Sequence, residues 1–218
     1  MNRWLTDNRS TWASIAILLA LTGLVAVTAP AEQTLGGSNA RLVYFHGALV
    51  WASLLTWFLA AGVGVIGLLR RDVRFHNASK LLGRVGLLWW ALYIPVSILA
   101  ANATWANNTW NLTFLMEPRF QVAFQMMALM LIAQAVVLFT DHPAAPSLTN
   151  LVVVAIMVLL LNVTERVLHP PAPIRDTESL RIQLAFAAMT LLLLLAGFQI
   201  ARLRRVVSPK SRVSGQPN

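Results

Sequence analysis

The sequence predicts an all-α fold, a polytopic membrane protein built as a bundle of six transmembrane helices with both termini cytoplasmic. Three observations carry that expectation. The 218-residue chain is 57% hydrophobic and only 11% charged, with a mean hydropathy of +0.65, far from the balance of a soluble domain. Apolar runs occur at 13–30, 42–69, 84–103, 120–140, 148–168 and 182–202, each close to the roughly 20 residues that cross a bilayer as a helix. The charges are also asymmetric once mapped onto those runs. Twelve cations and three acids fall on one side, five cations and five acids on the other, so the whole net charge of +9 lies on one face. The positive-inside rule makes that face cytoplasmic. The surplus sets orientation and does not imply a nucleic-acid partner.

The first run follows Arg3 and Arg9 and ends at Ala29-Pro30-Ala31, a pattern shared with cleavable signal peptides; retention as a first helix is the expectation. In the second run His46, Ser53, Trp57, Ala60 and Gly64 fall in one angular window at about 100° per residue. That polar-to-small stripe suits close helix packing, and Trp51 is expected to face lipid. In the third, Gly86, Trp90, Tyr93 and Ser97 align, with Pro95 expected to kink the helix. Its approach, 70–84, reads as a short basic inner loop. The fourth run opens with Gln121 and Gln125 one turn apart. On the fifth, Asn162, Glu165 and His169 share a face before Pro170-Pro171 stop the helix. The sixth closes on Arg202-Leu203-Arg204-Arg205, and the polar residues 206–218 are expected to be a disordered tail. The whole, 1–218, is a single membrane domain without internal repeats.

Several function classes find no support. There is no cysteine, hence no disulfide, thiolate metal site or thioether attachment within the chain. Gly62-Val63-Gly64-Val65-Ile66-Gly67 lies inside an apolar run and suits helix packing, not phosphate binding. No histidine or carboxylate spacing matches a metal site. His76 and His142 fall on the cytoplasmic side and receive no role.

What stands out is His46 and His169, each where an apolar run meets water on the outer face, with the tryptophan-bearing stretch 105–119 between them in sequence. A haem needs axial ligands, an aromatic or apolar slot, and cations for its propionates. His46 and His169 can supply the iron's axial imidazoles. Trp105, Trp110 and Phe114 can stack on the ring, Arg119, Arg41 and Arg175 can pair with propionates, and Gln121 and Gln125 can line the same pocket. Plainer readings stand beside these. A single histidine at a helix end is usually interfacial, His169 before two prolines can simply end a helix, and Trp4, Trp12 and Trp89 fit an aromatic belt. Glu117 with Arg119 can be a solvated pair worth little.

Read together, these residues resemble the haem-handling membrane proteins of cytochrome c biogenesis, the CcmC/CcsA type. That family carries an outer loop of the form W-G-x-x-x-W-G-x-W-W-x-W-D-x-R between two outward-facing histidines. Residues 105–119 lie on that form without a gap: Trp105 and Trp110 keep two tryptophans, Phe114 keeps an aromatic, Arg119 keeps the arginine, and Glu117 stands for the aspartate. Ala106, Asn111, Thr113 and Met116 depart from it. Arg41-Leu42-Val43-Tyr44-Phe45-His46 and Val167-Leu168-His169 resemble the two histidine segments, so the resemblance spans about 41–205. It implies haem b bound in transit between His46 and His169, delivery to an acceptor in cytochrome c maturation, ABC-transporter subunits and a periplasmic haem chaperone as partners, and a bacterial-type inner membrane. No substrate bond is made or broken, so an enzyme is not expected. Two alternatives remain open: a diverged permease or scaffold subunit without haem, and a b-type electron-transfer cytochrome.

Overall fold

A computed structural model of the chain describes residues 8–33, 36–104, 115–164, 174 and 177–207. Six α-helices follow one another: α1 (Asn8–Thr28), α2 (Ala40–Arg70), α3 (Val73–Thr104), α4 (Pro118–Phe139), α5 (Ala145–Val163) and α6 (Leu180–Val207). There is no β-strand among the described residues; a single isolated bridge, Glu32 to Gly37, closes the link between α1 and α2. All six helices are long and apolar enough to cross a membrane. Their outward faces agree: Leu59, Leu131, Leu159 and Leu191 are each more than half exposed, a surface that water would penalise and hydrocarbon would not. Six successive crossings bring both helical ends of the chain, Asn8 and Val207, to the same end of the bundle. That end is called the basic end below, and the other the histidine end.

The central helix is α2, packed against α3, α5 and α6, while α1 lies mainly on α6. The stripe expected on α2 is its inner face, with Ser53, Trp57, Ala60 and Gly64 buried, and Trp51 faces outward. Small residues let the helices approach closely where lipid offers no hydrophobic contrast. A methyl group at Gly86 would meet the Trp57 indole at 2.6 Å, and one at Gly197 would meet the Trp89 indole at 2.8 Å. Each large ring therefore lies across a neighbouring backbone, Trp57 on α3 and Trp89 on α6. Trp89, expected in an interfacial belt, is buried at 2% exposure; Trp12, at 59%, keeps the outward place expected of it.

Helix boundaries depart from the apolar runs by up to eleven residues, and two of the departures have a local cause. The third helix begins at Val73, eleven residues before the apolar run does. Asp72 accepts a hydrogen bond from the Arg74 amide at 2.8 Å and satisfies a first-turn donor, so most of the expected 70–84 loop is helix. The turn itself is brief: Arg71 takes a left-handed conformation (φ 52°) and its amide closes onto the Gly67 carbonyl, a common helix ending. The fifth helix ends at Val163, where Thr164 turns extended and its hydroxyl donates back to the Leu160 carbonyl; the rest of the expected run, 165–168, lies outside the described residues. Pro95 lies within α3, which continues through it to Thr104.

Candidate functional site

The histidine end is assembled from helix ends tied to one another by polar contacts. Gly36, at φ 86°, sits against Thr104 at the end of α3, and Asn39 donates from Nδ2 to the Ala103 carbonyl at 2.8 Å. Arg41 donates from Nε to the Ala29 carbonyl at 2.9 Å, clipping the start of α2 to the end of α1. Leu115 packs with Ile98, Ala101 and Phe120, which draws the start of α4 onto the end of α3. Arg119 donates from Nη2 to the Leu161 carbonyl at 3.4 Å, linking α4 to the last turn of α5.

His46 stands in the middle of this arrangement, half-buried near the start of α2. Its ring is stacked on Tyr93 with centroids 6.0 Å apart and planes 24° from parallel. Tyr93 in turn touches Trp90 at 4.9 Å, and Trp90 donates from Nε1 to the Ala123 carbonyl at 2.9 Å. This chain of rings fixes one face of the imidazole through α3 and α4. Stacking engages the ring face, whereas a metal is bound at the ring edge, so the two are compatible. Glu117 is buried at 3% exposure at the N-terminus of α4, a favourable place for a carboxylate, and so is not the solvated loop residue of the plainer reading.

The expected site residues divide into three groups. His46 and Arg119 both lie at the histidine end, His46 stacked on Tyr93 and Arg119 bonded to the Leu161 carbonyl. His169, Trp105, Trp110 and Phe114, together with Arg175 and Glu165, lie outside the described residues. Arg41, Gln121, Gln125 and Asn162 lie among the described residues. Arg41 spends a donor on the Ala29 carbonyl. Gln121 and Gln125 are exposed, with Gln121 donating back to the Leu115 carbonyl. Asn162 is exposed and donates to the Val158 carbonyl of its own helix. The reason is geometric: α4 turns Val122, Ala123 and Met126 inward, which leaves the two glutamines on its outer side.

A fit test for haem rests on the donors present. A half-buried imidazole at a bundle rim, fixed by an aromatic neighbour and with a guanidinium nearby, is the donor set that an iron porphyrin with anionic propionates requires. Among the described residues, His46 could supply one imidazole nitrogen and Arg119 one cation to such a group. The described residues form no cluster of three or more metal-ligating side chains.

Sequence reasoning missed the polar core at the basic end. His76 is 5% exposed, and its Nδ1 lies 2.6 Å from the Ser147 hydroxyl. Asn150 donates from Nδ2 to the Ser79 carbonyl at 2.9 Å and to its hydroxyl at 2.8 Å, and Ser79 donates to the Ala60 carbonyl at 2.8 Å. These contacts fasten α3 to α2 and α5 where Gly64, Gly67 and Gly83 leave room. The missing signal was Asp72: once it starts the helix, His76, Ser79 and Gly83 share one inward face.

No protein-family model matches this chain, and no match is found among curated proteins.

Proposed function

We propose that the protein handles haem at the histidine end of the bundle and delivers it during cytochrome c maturation, holding it between His46 and His169 beside the aromatic stretch 105–114. One observation carries the reading. Ile174 Cδ1 lies 3.6 Å from where a methyl group on Gly47 would stand, so a residue five positions after His169 packs beside the immediate neighbour of His46. The other loop is anchored there too, by Thr104 against Gly36 and by Leu115 in the Phe120 cluster.

His46 and His169 would hold the haem, whose iron would supply the binding point for imidazole nitrogen. The chain's own residues do the rest. Tyr93 orients the His46 ring, Arg119 offers a cation for a propionate, and the rim position leaves the ligand accessible to an acceptor. Ligands at a rim exchange one at a time more readily than ligands in a bundle core, which suits delivery better than storage or electron transfer. On this reading the histidine end is periplasmic, the basic end is cytoplasmic by its charge, and the membrane is a bacterial-type inner membrane. ABC-transporter subunits and a periplasmic haem chaperone are the partners that such a role calls for. The chemistry is transfer of an intact cofactor and not catalysis.

Absorption spectra of the full chain purified in detergent from haem-replete cells test this. The expected result is a Soret band that is lost in His46→Ala and in His169→Ala and that moves to an apo-acceptor on mixing. A well-folded wild type without a Soret band would overturn the proposal in favour of a six-helix scaffold. A band that cycles reversibly with a quinol and is not transferable would overturn it in favour of a b-type cytochrome.

A further inference from the structure

At the basic end, α3, α4 and α6 leave between them a cleft of about 360 Å³. Its walls are apolar, formed by Leu88 and Ala91 of α3, Leu131 of α4 and Ile200 of α6, and Arg84 stands among them. This volume is in the range of small-ligand pockets, and the surrounding outward surface is hydrocarbon-like, with Leu131 53% and Phe198 61% exposed.

Arg84 is the informative residue. It is half-buried and makes no hydrogen bond or ion pair among the described residues. Lys80, one turn earlier on the same face, is likewise half-buried and without such a partner. Arg202 follows Ala201, which lines the cleft, so a third cation stands at this depth. The described acids at this end are Asp72, which caps α3, and Asp141. α4 meanwhile continues about two turns beyond Leu131, through exposed Leu138 and Phe139. An arginine beside hydrocarbon is costly unless it meets an anion or reaches the interface.

We infer that this cleft is a binding site for one anionic phospholipid, with an acyl chain along Leu88, Ala91 and Leu131 and the headgroup phosphate on Arg84 and Lys80. A planar guanidinium pairs bidentately with a phosphate, and basic pockets between transmembrane helices suit anionic headgroups. Charge complementarity selects this occupant over a second copy of the chain, whose own surface at this end carries the same excess of cations. The site is independent of whether His46 binds haem.

Native mass spectrometry of the full chain, titrated with phosphatidylglycerol and with phosphatidylcholine of identical acyl chains, tests the inference. The wild type is expected to bind phosphatidylglycerol about fivefold or more tightly than phosphatidylcholine, the preference that about one basic contact provides. Arg84→Gln should remove that preference, and Arg84→Lys should keep part of it. Ala91→Phe fills the apolar part and should weaken both lipids while leaving the charges in place, with size-exclusion profiles confirming that each variant is folded. Equal affinity for the two lipids in the wild type, an unchanged preference in Arg84→Gln, unchanged binding in Ala91→Phe, or a dimer that cross-links through Leu88 would each overturn it.

Discussion

The imidazole of His46 and the phenol of Tyr93 lie nearly parallel, 6.0 Å between centroids, which makes α3 the support on which the one described axial candidate rests. Tyr93 is itself held by Trp90, whose indole is bonded to the backbone of α4. The orientation of His46 is therefore a property of three helices and not of α2 alone.

That dependence predicts different outcomes for two substitutions at Tyr93. Tyr93→Phe keeps the stacked ring and should leave haem occupancy within about twofold of the wild type. Tyr93→Leu removes an aromatic pair worth about 0.5–1.5 kcal/mol and should lower haem affinity by roughly two- to tenfold, with a shifted Soret maximum. Haem titration of the detergent-purified variants measures both.

Arg41 and Arg119 are separable by the same titration. Arg41 is engaged with the Ala29 carbonyl, so Arg41→Gln should leave haem occupancy unchanged while loosening the α1–α2 link. A charge-assisted hydrogen bond is worth about 1.5–3 kcal/mol, and increased protease cleavage in that link would report its loss. Arg119→Gln, near the start of α4, should lower haem occupancy instead. Equal haem loss in both variants would contradict the assignment.

Glycines in α2 and α3 should respond according to what lies over them. At Gly86 a methyl group would collide with the Trp57 indole at 2.6 Å, whereas at Gly62 nothing lies within 4 Å. Gly86→Ala should cost about 1–3 kcal/mol, as overpacking does, and lower the unfolding temperature in detergent. Gly62→Ala should be neutral or stabilise by up to about 1 kcal/mol, since alanine is the better helix former.

The polar core at the basic end should behave as a coupled unit. Ser79 and Asn150 are joined directly, so a double-mutant cycle on Ser79→Ala and Asn150→Ala should give a coupling of about 0.6–1.7 kcal/mol, the range found for hydrogen bonds between membrane helices. His76→Ala would leave the buried Ser147 hydroxyl without its 2.6 Å partner and should cost about 1–3 kcal/mol. Chemical unfolding in mixed detergent measures both, and an absence of coupling would show that the contact is not maintained in solution.

The number and order of helices were legible in the sequence because a lipid-facing backbone must satisfy its own hydrogen bonds, so length and hydropathy alone select the spans. The inward stripe of α2, from Ser53 to Gly64, was legible for the same reason that any helix face is: its period is fixed. Tertiary packing decided matters that no local rule could reach. Whether Trp89 lies at an interface or against Gly197, and whether His76 hangs in a loop or is bonded to Ser147, depend on partners dozens of residues away. Hydropathy records how much a segment avoids water; it holds no record of which helix presents the neighbouring surface, and that choice follows only from where small residues allow two backbones to meet.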